Sequence, residues 1–279
     1  MMIGPKTTEA ALEAKAVQLG LDKPIYVQYF VWLKNMLHGN LGYSMKSYQP
    51  VSQIIGEHLG PTLLLMGTSL ILGLAIAIPL GIYSAVHRYQ KRDYFLVTLS
   101  FFGTSIPSFF LSLIFIYLFT VKLGWLPSSG MTTAGGDGGI IDVIKHMIMP
   151  VIILAISIAG SNIRYVRSAV LEILQKDYIR TARSKGIGRF LIINKHALRN
   201  ALIPIVTVIG MEIPVLFGGA VIIEEIFSWP GLGLITMNAI IGRDYPVIMG
   251  VSLLTAVVVL AANLLTDIVY ALIDPTIKY

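Results

Sequence analysis

The sequence predicts an all-α membrane protein that crosses the bilayer several times, and three observations carry that expectation. Charged residues make up 13 % of the 279 and hydrophobic residues 55 %, where a soluble domain carries about 25 % charge; mean hydropathy is +0.76. A helix needs ~20 mostly apolar residues to cross the hydrocarbon core, and the chain holds several long intervals with no Asp, Glu, Lys or Arg. The cations cluster between those intervals. Such apolarity excludes a disordered chain, and zero cysteines exclude disulfides, thiol catalysis, zinc–thiolate sites and iron–sulfur clusters.

Residues 1–59 are the polar beginning of the chain and read as an extracytoplasmic N-terminal segment. A first span is expected over Thr62–Val86, a second over Tyr94–Val121, a third over His146–Ile163 and a last over Tyr245–Thr266. A further apolar stretch, Asn200–Ile223, is broken once by Glu212 and makes the fifth span. Residues 60–273 thus form one transmembrane domain, with 274–279 as a tail. Prolines at Pro79, Pro107, Pro150, Pro204 and Pro214 fall in or beside the first four of these helices in chain order. Membrane bundles accept such breaks where neighbouring helices satisfy the freed carbonyls. Gly67, Gly73, Gly81, Gly218 and Gly219 allow close helix contact.

Orientation follows from Lys and Arg. Five spans put the 87–93 turn, residues 164–199 and the tail on one side, and that side holds 13 of the 21 basic residues. It is therefore the cytoplasmic side, with the N-terminal segment outside and the C-terminus inside. The first 25 residues contain no apolar run able to act as a signal for that export.

Residues 171–200 are too polar for membrane and too long for a tight turn, and are expected to form two short helices. Asp177 is placed to N-cap a first helix running through Lys185, and Gly186 to end it with positive φ. Arg189–Leu198 then lines up Phe190, Ile193 and Ala197 on one face. A surface helix of this kind lies on lipid headgroups or docks in a partner's groove, and the residues alone favour neither.

The run Arg180-Thr181-Ala182, then Gly186 after three residues, then His196-Ala197-Leu198-Arg199 resembles the EAA loop of ATP-binding-cassette importer permeases. Asp177–Asn200 fits nearly throughout the version found in the oligopeptide/dipeptide/nickel permeases, in which Arg, Thr, His and Arg replace consensus residues of the wider family. Leu19–Pro50 resembles the extracellular region that marks the first of the two paralogous permeases in such systems, Gly218–Gly233 followed by Arg243-Asp244-Tyr245-Pro246 resembles the family's external loop before the last helix, and Asp274-Pro275 resembles its ending. The resemblance implies a type I importer fold and makes the 171–200 loop the coupling element that fits a cleft on a cytoplasmic ATPase. On it, Tyr178, Ala182 and Gly186 are the expected packing positions. Arg180, Arg183 and Lys185 are the candidates to meet acidic ATPase residues or anionic lipid, with Asp177 and Thr181 completing the site. The resemblance also implies a paralogous second permease, two ATPases, an extracytoplasmic substrate-binding protein and a bacterial or archaeal inner membrane. Members of the family begin with a transmembrane helix ahead of the region that matches Leu19–Asp22. On that comparison a sixth helix is expected before this chain's first residue.

No G-x-x-x-x-G-K-[ST] occurs, so the chain has no motif for cradling nucleotide phosphates; it is not expected to be an enzyme or to bind a cofactor, and ATP is expected to be used by partner subunits. Nucleic acid is not an expected partner. Glu212 is the one carboxylate well inside a span. Intramembrane ionisable groups face a cavity or a partner, so Glu212 either lines the path and attracts a cationic cargo group or pairs with a polar group on a neighbouring helix. Asp267 reads as a polar anchor at a helix end. His38, His58, His87, His146 and His196 share no ligand spacing, and no metal site is expected from them. Trp32, Trp125 and Trp229 read as an interfacial belt. The expected cargo is a peptide, with nickel, glutathione or another small solute as alternatives within the class. An ion-coupled secondary transporter is the competing class, and would need a carboxylate relay and inverted repeats; only Glu212 and Asp267 qualify, and no repeat is visible.

Overall fold

The computed structural model describes residues 23–136, 138–186, 188, 191, 205–213 and 220–273, and these are helical with turns between. The elements are α1 (Ile25–Leu37), α2 (Val51–Val86), α3 (Lys91–Ser105), α4 (Ser108–Phe115), α5 (Ile140–Leu174), α6 (Asp177–Ser184), α7 (Val221–Ile226), α8 (Leu232–Gly242) and α9 (Tyr245–Ile273). A π-helical stretch, Ile116–Lys122, continues α4, and residues 205–213 are helical. Three helices, α2, α5 and α9, are each long and apolar enough to cross a membrane, and α3 with α4 and its continuation makes a fourth span if counted as one. The fifth expected span is described only over 205–213 at its centre and 220–223 at its end. Pro204, Pro214, Gly218, Gly219, the Arg189–Leu198 helix and the 274–279 tail lie outside the described residues.

The long helices overrun the intervals that predict them. Helix α2 starts eleven residues before Thr62, so the expected 59/60 boundary falls inside it. Helix α5 includes Asp142, Lys145, Arg164, Arg167 and Glu172. A charge-free run marks only the part in hydrocarbon, and a helix has no reason to stop where the lipid does. At 1.5 Å per residue the 36 residues of α2 reach ~54 Å against a core of ~30 Å, so α2 connects the two sides of the membrane in one rod.

The second span is broken. Ile106 precedes Pro107, whose ring disfavours helical ψ in its neighbour; Ile106 is extended, with ψ 122°, and the two halves meet at 91°. Pro61 and Pro79, by contrast, sit inside a continuous α2, and Pro150 inside a continuous α5.

Helix α5 is the centre of the packing. A Cβ on Gly73 would stand 2.7 Å from the Ile158 side chain, one on Gly81 2.7 Å from Val166, and one on Gly160 2.8 Å from the Ser100 carbonyl. These absent side chains let α2 and α3 lie directly on α5. Gly67 does not share the role, because a Cβ there meets nothing within 4 Å. At one end of the molecule Val51, Ile54 and Ile55 of α2 pack with Leu232, Ala239, Val247 and Val251. At the other, Ala85 packs with Val166, Val170 and Ile173 of α5.

Candidate functional site

The residues singled out on the 171–200 segment lie just beyond the end of α5. That helix stops at Leu174, two residues turn, and α6 begins at Asp177. Lys176, rather than Asp177, holds the capping position, since its carbonyl accepts the Ile179 N–H. Asp177 becomes the first helical residue, where a negative charge is favourable against the helix dipole. The chain then leaves the helix through Gly186 at φ +76°, the positive value expected there.

Helix α6 has two faces. Ile179 and Ala182, three apart, are buried at 0 % and 7 % exposure in the cluster of Ala85, Val166, Val170, Ile173 and Ile205. Asp177, Tyr178, Arg180, Thr181, Lys185 and Gly186 are exposed; the Arg183 side chain lies outside the described set. Ala182 therefore packs inward, on the ends of α2 and α5 of its own chain, while Tyr178 and Gly186 are left outward. Among the described residues Arg180 pairs with Asp177, at 3.6 Å and in solvent, an ion pair that adds little stability. The arrangement is a short rod seated on the bundle, with Tyr178, Arg180 and Lys185 on its exposed face.

Beside that seat is a buried carboxylate that sequence reasoning passed over. Asp93, in the 87–93 turn, is 1 % exposed. Arg167 of α5 donates to it twice, Nε and an Nη each at 2.7 Å. Ser84 of α2 donates to the same carboxylate at 2.5 Å, and the Tyr89 N–H at 2.9 Å. These donors, Arg167 first, hold the Asp93 carboxyl well below the usual carboxylate range against the opposing effect of burial. One residue thus ties the end of α2, the start of α3 and the C-terminal part of α5 together. The available signal was its sign: Asp93 is the one acid in a turn holding Arg88, Lys91 and Arg92.

A second buried carboxylate closes the opposite end. Glu224 of α7 is fully buried, with Thr62 Oγ1 donating at 3.2 Å and the Leu234 N–H at 2.9 Å. Thr62 in turn accepts the Leu232 N–H at 2.7 Å. Gly231 and Gly233 make the room, since a Cβ on Gly231 would fall 2.5 Å from the carboxylate and one on Gly233 2.9 Å. Trp229 is not part of an interfacial belt: it is fully buried, with Nε1 donating to the Pro61 carbonyl at 2.9 Å. Trp125, in contrast, is 66 % exposed. A tryptophan flanked by Ser and Pro-Gly cannot be told from a membrane anchor without knowing what its loop folds against. On the same side, buried Asp244 accepts from the Ser44 hydroxyl and from the Met45 N–H, fastening the N-terminal segment to the turn before α9.

Glu212 is half-buried, in the helical run 205–213. The Asn162 amide of α5 donates to it at 3.4 Å and to the Ile158 carbonyl at 2.8 Å, so a polar neighbour on another helix is present. Close packing nearby is set by Gly210, whose Cβ would collide with Thr266 of α9. Asp267 is exposed next to that contact.

Comparison with known proteins places these features in a family. Residues 77–279 match the pattern of the family described as binding-protein-dependent transport system inner membrane component. The chain is 46 % identical over 272 residues to a putative peptide permease of Brucella suis biovar 1, covering 97 % of this chain and 85 % of that protein. It is 45 % identical over 280 residues to the oligopeptide transport system permease AppB of Bacillus subtilis, covering 100 % and 89 %. The glutathione transport system permease GsiC of Escherichia coli K12 is 37 % identical over 279 residues, covering 100 % and 88 %. Among solved structures, the inward-facing MetNI methionine ABC transporter shares the fold, with a TM-score of 0.64 and 22 % identity over 80 % of this chain and 97 % of that one.

Proposed function

The chain belongs to the binding-protein-dependent transport system inner membrane components, and from that premise we propose that it forms, with a paralogous permease, the path by which peptides are imported. It is a multi-pass permease subunit of an ATP-binding-cassette importer, a class that works with ATPase and binding-protein partners. Peptide cargo is supported by relatives at 45–46 % identity named as peptide permeases. The glutathione permease at 37 % makes a short modified peptide the second candidate.

The observation that carries the reading is α6, a rod with one face seated on α2 and α5 and the other exposed. Two cytoplasmic ATPases dock on such rods, one on each permease, through Asp177, Tyr178, Arg180, Thr181, Arg183, Lys185 and Gly186. Ile179 and Ala182 transmit the movement. ATP binding then favours one of two global states, inward-open or outward-open, through contacts made only in that state. Because α2 runs from the α6 seat to the Glu224 clasp, displacement at the cytoplasmic end is carried to the external loop along one packed pair of helices. The N-terminal segment lies outside, facing the binding protein, and the C-terminus is cytoplasmic. Nucleotide chemistry stays in the partners. Glu212 meets a cationic group of the cargo in the path.

Since the chain has no cysteine, Tyr178→Cys gives a unique thiol for a short bifunctional cross-linker in the assembled importer. It should join the permease to an ATPase subunit, with a yield that changes between nucleotide-free and ATP-bound states; a yield of zero in both contradicts the docking face. For the path, Glu212→Gln should lower uptake several-fold with ATPase activity retained, and unchanged uptake and selectivity would remove Glu212 from it.

A further inference from the structure

The 87–93 turn also shapes a groove that the transport reading does not use. It lies between α2 and α3, has a volume of about 450 Å³, and is lined by Leu80 and Tyr83 from one helix and Lys91, Arg92, Phe95 and Leu96 from the other. Its lining surface is apolar, and two of the six residues that form it, Lys91 and Arg92, are cationic. An Arg92 Nη donates to the Tyr83 hydroxyl at 2.9 Å, which ties the guanidinium to the facing helix at the groove and leaves its remaining N–H groups available, Arg having five. Arg88, one turn away, stacks 4.3 Å from the Tyr89 ring.

The local charge is uncompensated. The only carboxylate in this turn, Asp93, points inward and is engaged by Arg167, Ser84 and the Tyr89 N–H. Among the described residues neither Lys91 nor Arg92 has an ion-pair partner. Phe95, at the open side, is 66 % exposed. The groove sits where the first span ends and the second begins, on the side with the excess of Lys and Arg. That boundary is the level of the headgroups of the cytoplasmic leaflet, where each surface cation attracts anionic lipid.

We infer that this groove is a binding site for one anionic phospholipid, its phosphate held by Lys91 and Arg92 and an acyl chain lying along Leu80, Phe95 and Leu96. An anionic headgroup alone would be satisfied by any exposed lysine. The apolar lining beside the two cations selects an amphiphile with a phosphate at one end. Bound there, the lipid braces the α2–α3 wedge from outside while Asp93 braces it from within.

The test uses the assembled importer in bilayer nanodiscs and a phosphatidylglycerol probe carrying a photoreactive group on its acyl chain. Labelling should concentrate on Leu80, Phe95 and Leu96, and be displaced by excess phosphatidylglycerol at least about tenfold more effectively than by phosphatidylcholine. Millimolar inorganic phosphate should not displace it, which separates a lipid from a free anion. The Lys91→Gln/Arg92→Gln protein should lose the preference, and Lys91→Arg/Arg92→Lys, which keeps the charge, should retain it. Equal labelling by a phosphatidylcholine probe, unchanged preference in the charge-removed protein, or labelling that avoids Leu80, Phe95 and Leu96 would each overturn the inference. None of these readouts depends on cargo or on transport, so the site stands or falls apart from the peptide reading.

Discussion

The two ends of the α2–α5 pair are both closed by a buried carboxylate, but by opposite physics. At the α6 end Asp93 meets a guanidinium in a two-pronged pair, with a serine and a backbone N–H filling its remaining acceptors. At the other end Glu224 meets, among the described residues, neutral donors such as Thr62 and the Leu234 N–H, inside a turn shaped by two glycines. A paired charge is costly to break from either side, because the survivor is left buried and alone. An unpaired one is held by shape and hydrogen bonds and is easier to remodel. On the proposed transport reading the difference suits the ends to different tasks: the Asp93 end keeps α2, α3 and α5 in one body beneath α6, and the Glu224 end holds a loop free to change its surroundings when the path opens.

That contrast ranks the mutations. Asp93→Ala should have the largest effect, on the order of 3 kcal/mol, since it strands Arg167; thermal unfolding of the purified complex checks it, and a loss below about 1 kcal/mol would make the pair a surface ornament. Gly231→Ala should cost about 2 kcal/mol at the other end, because a Cβ would stand 2.5 Å from the Glu224 carboxylate in a packed loop. Its signature is local: exposure of Trp229 to an aqueous quencher, read with Trp32 and Trp125 replaced by Phe, should rise before the bundle unfolds. Glu224→Gln keeps the shape but can face an amide N–H against the Leu234 N–H, and should cost only about 1 kcal/mol. A larger loss than in Asp93→Ala would reverse the comparison.

pH separates the ends by sign. The Asp93 carboxyl is held below its ordinary range, so its contribution is complete above that range and is lost only as pH falls through the lowered value, in strong acid. Glu224, on α7 beyond the fifth expected span, is shifted upward by burial, against its hydrogen bonds from Leu234 and Thr62. Its charged form therefore opposes folding of the external loop at neutral pH, and the loop gains stability as pH falls from the raised value toward the ordinary one. Trp229 should become less accessible to quencher as pH falls toward the ordinary carboxylate range, with the α6 end unchanged until stronger acid. The opposite drift at Trp229 would contradict the assignment of Glu224 as the unpaired acid.

The membrane class, the positions of the three long helices and the start of α6 were legible in the sequence because each rests on a local signal: a charge-free run, or Asp177 and Gly186 at helix-end spacing. The break at Ile106-Pro107 was marked by the proline, but its 91° angle was not, since Pro61, Pro79 and Pro150 lie in helices that continue. What decides between the two outcomes is the neighbouring packing, which no local window contains. The two clasps were illegible for a related reason. Asp93 and Arg167 are 74 residues apart and Thr62 and Glu224 are 162 apart, and each acid alone looks like a solvated loop residue. The facing of α6 was half legible: the amphipathic pattern is visible, but which face is the seat depends on where Ala85 and Val170 stand.

The central claim is that this chain moves cargo only when a partner's ATP cycle drives it, and reconstituted uptake tests that most directly. Vesicles holding the chain with its permease, ATPase and binding-protein partners should accumulate labelled peptide only with internal-face ATP, and vanadate should abolish it. Accumulation by vesicles holding this chain alone, driven by an ion gradient and indifferent to vanadate, would contradict the account.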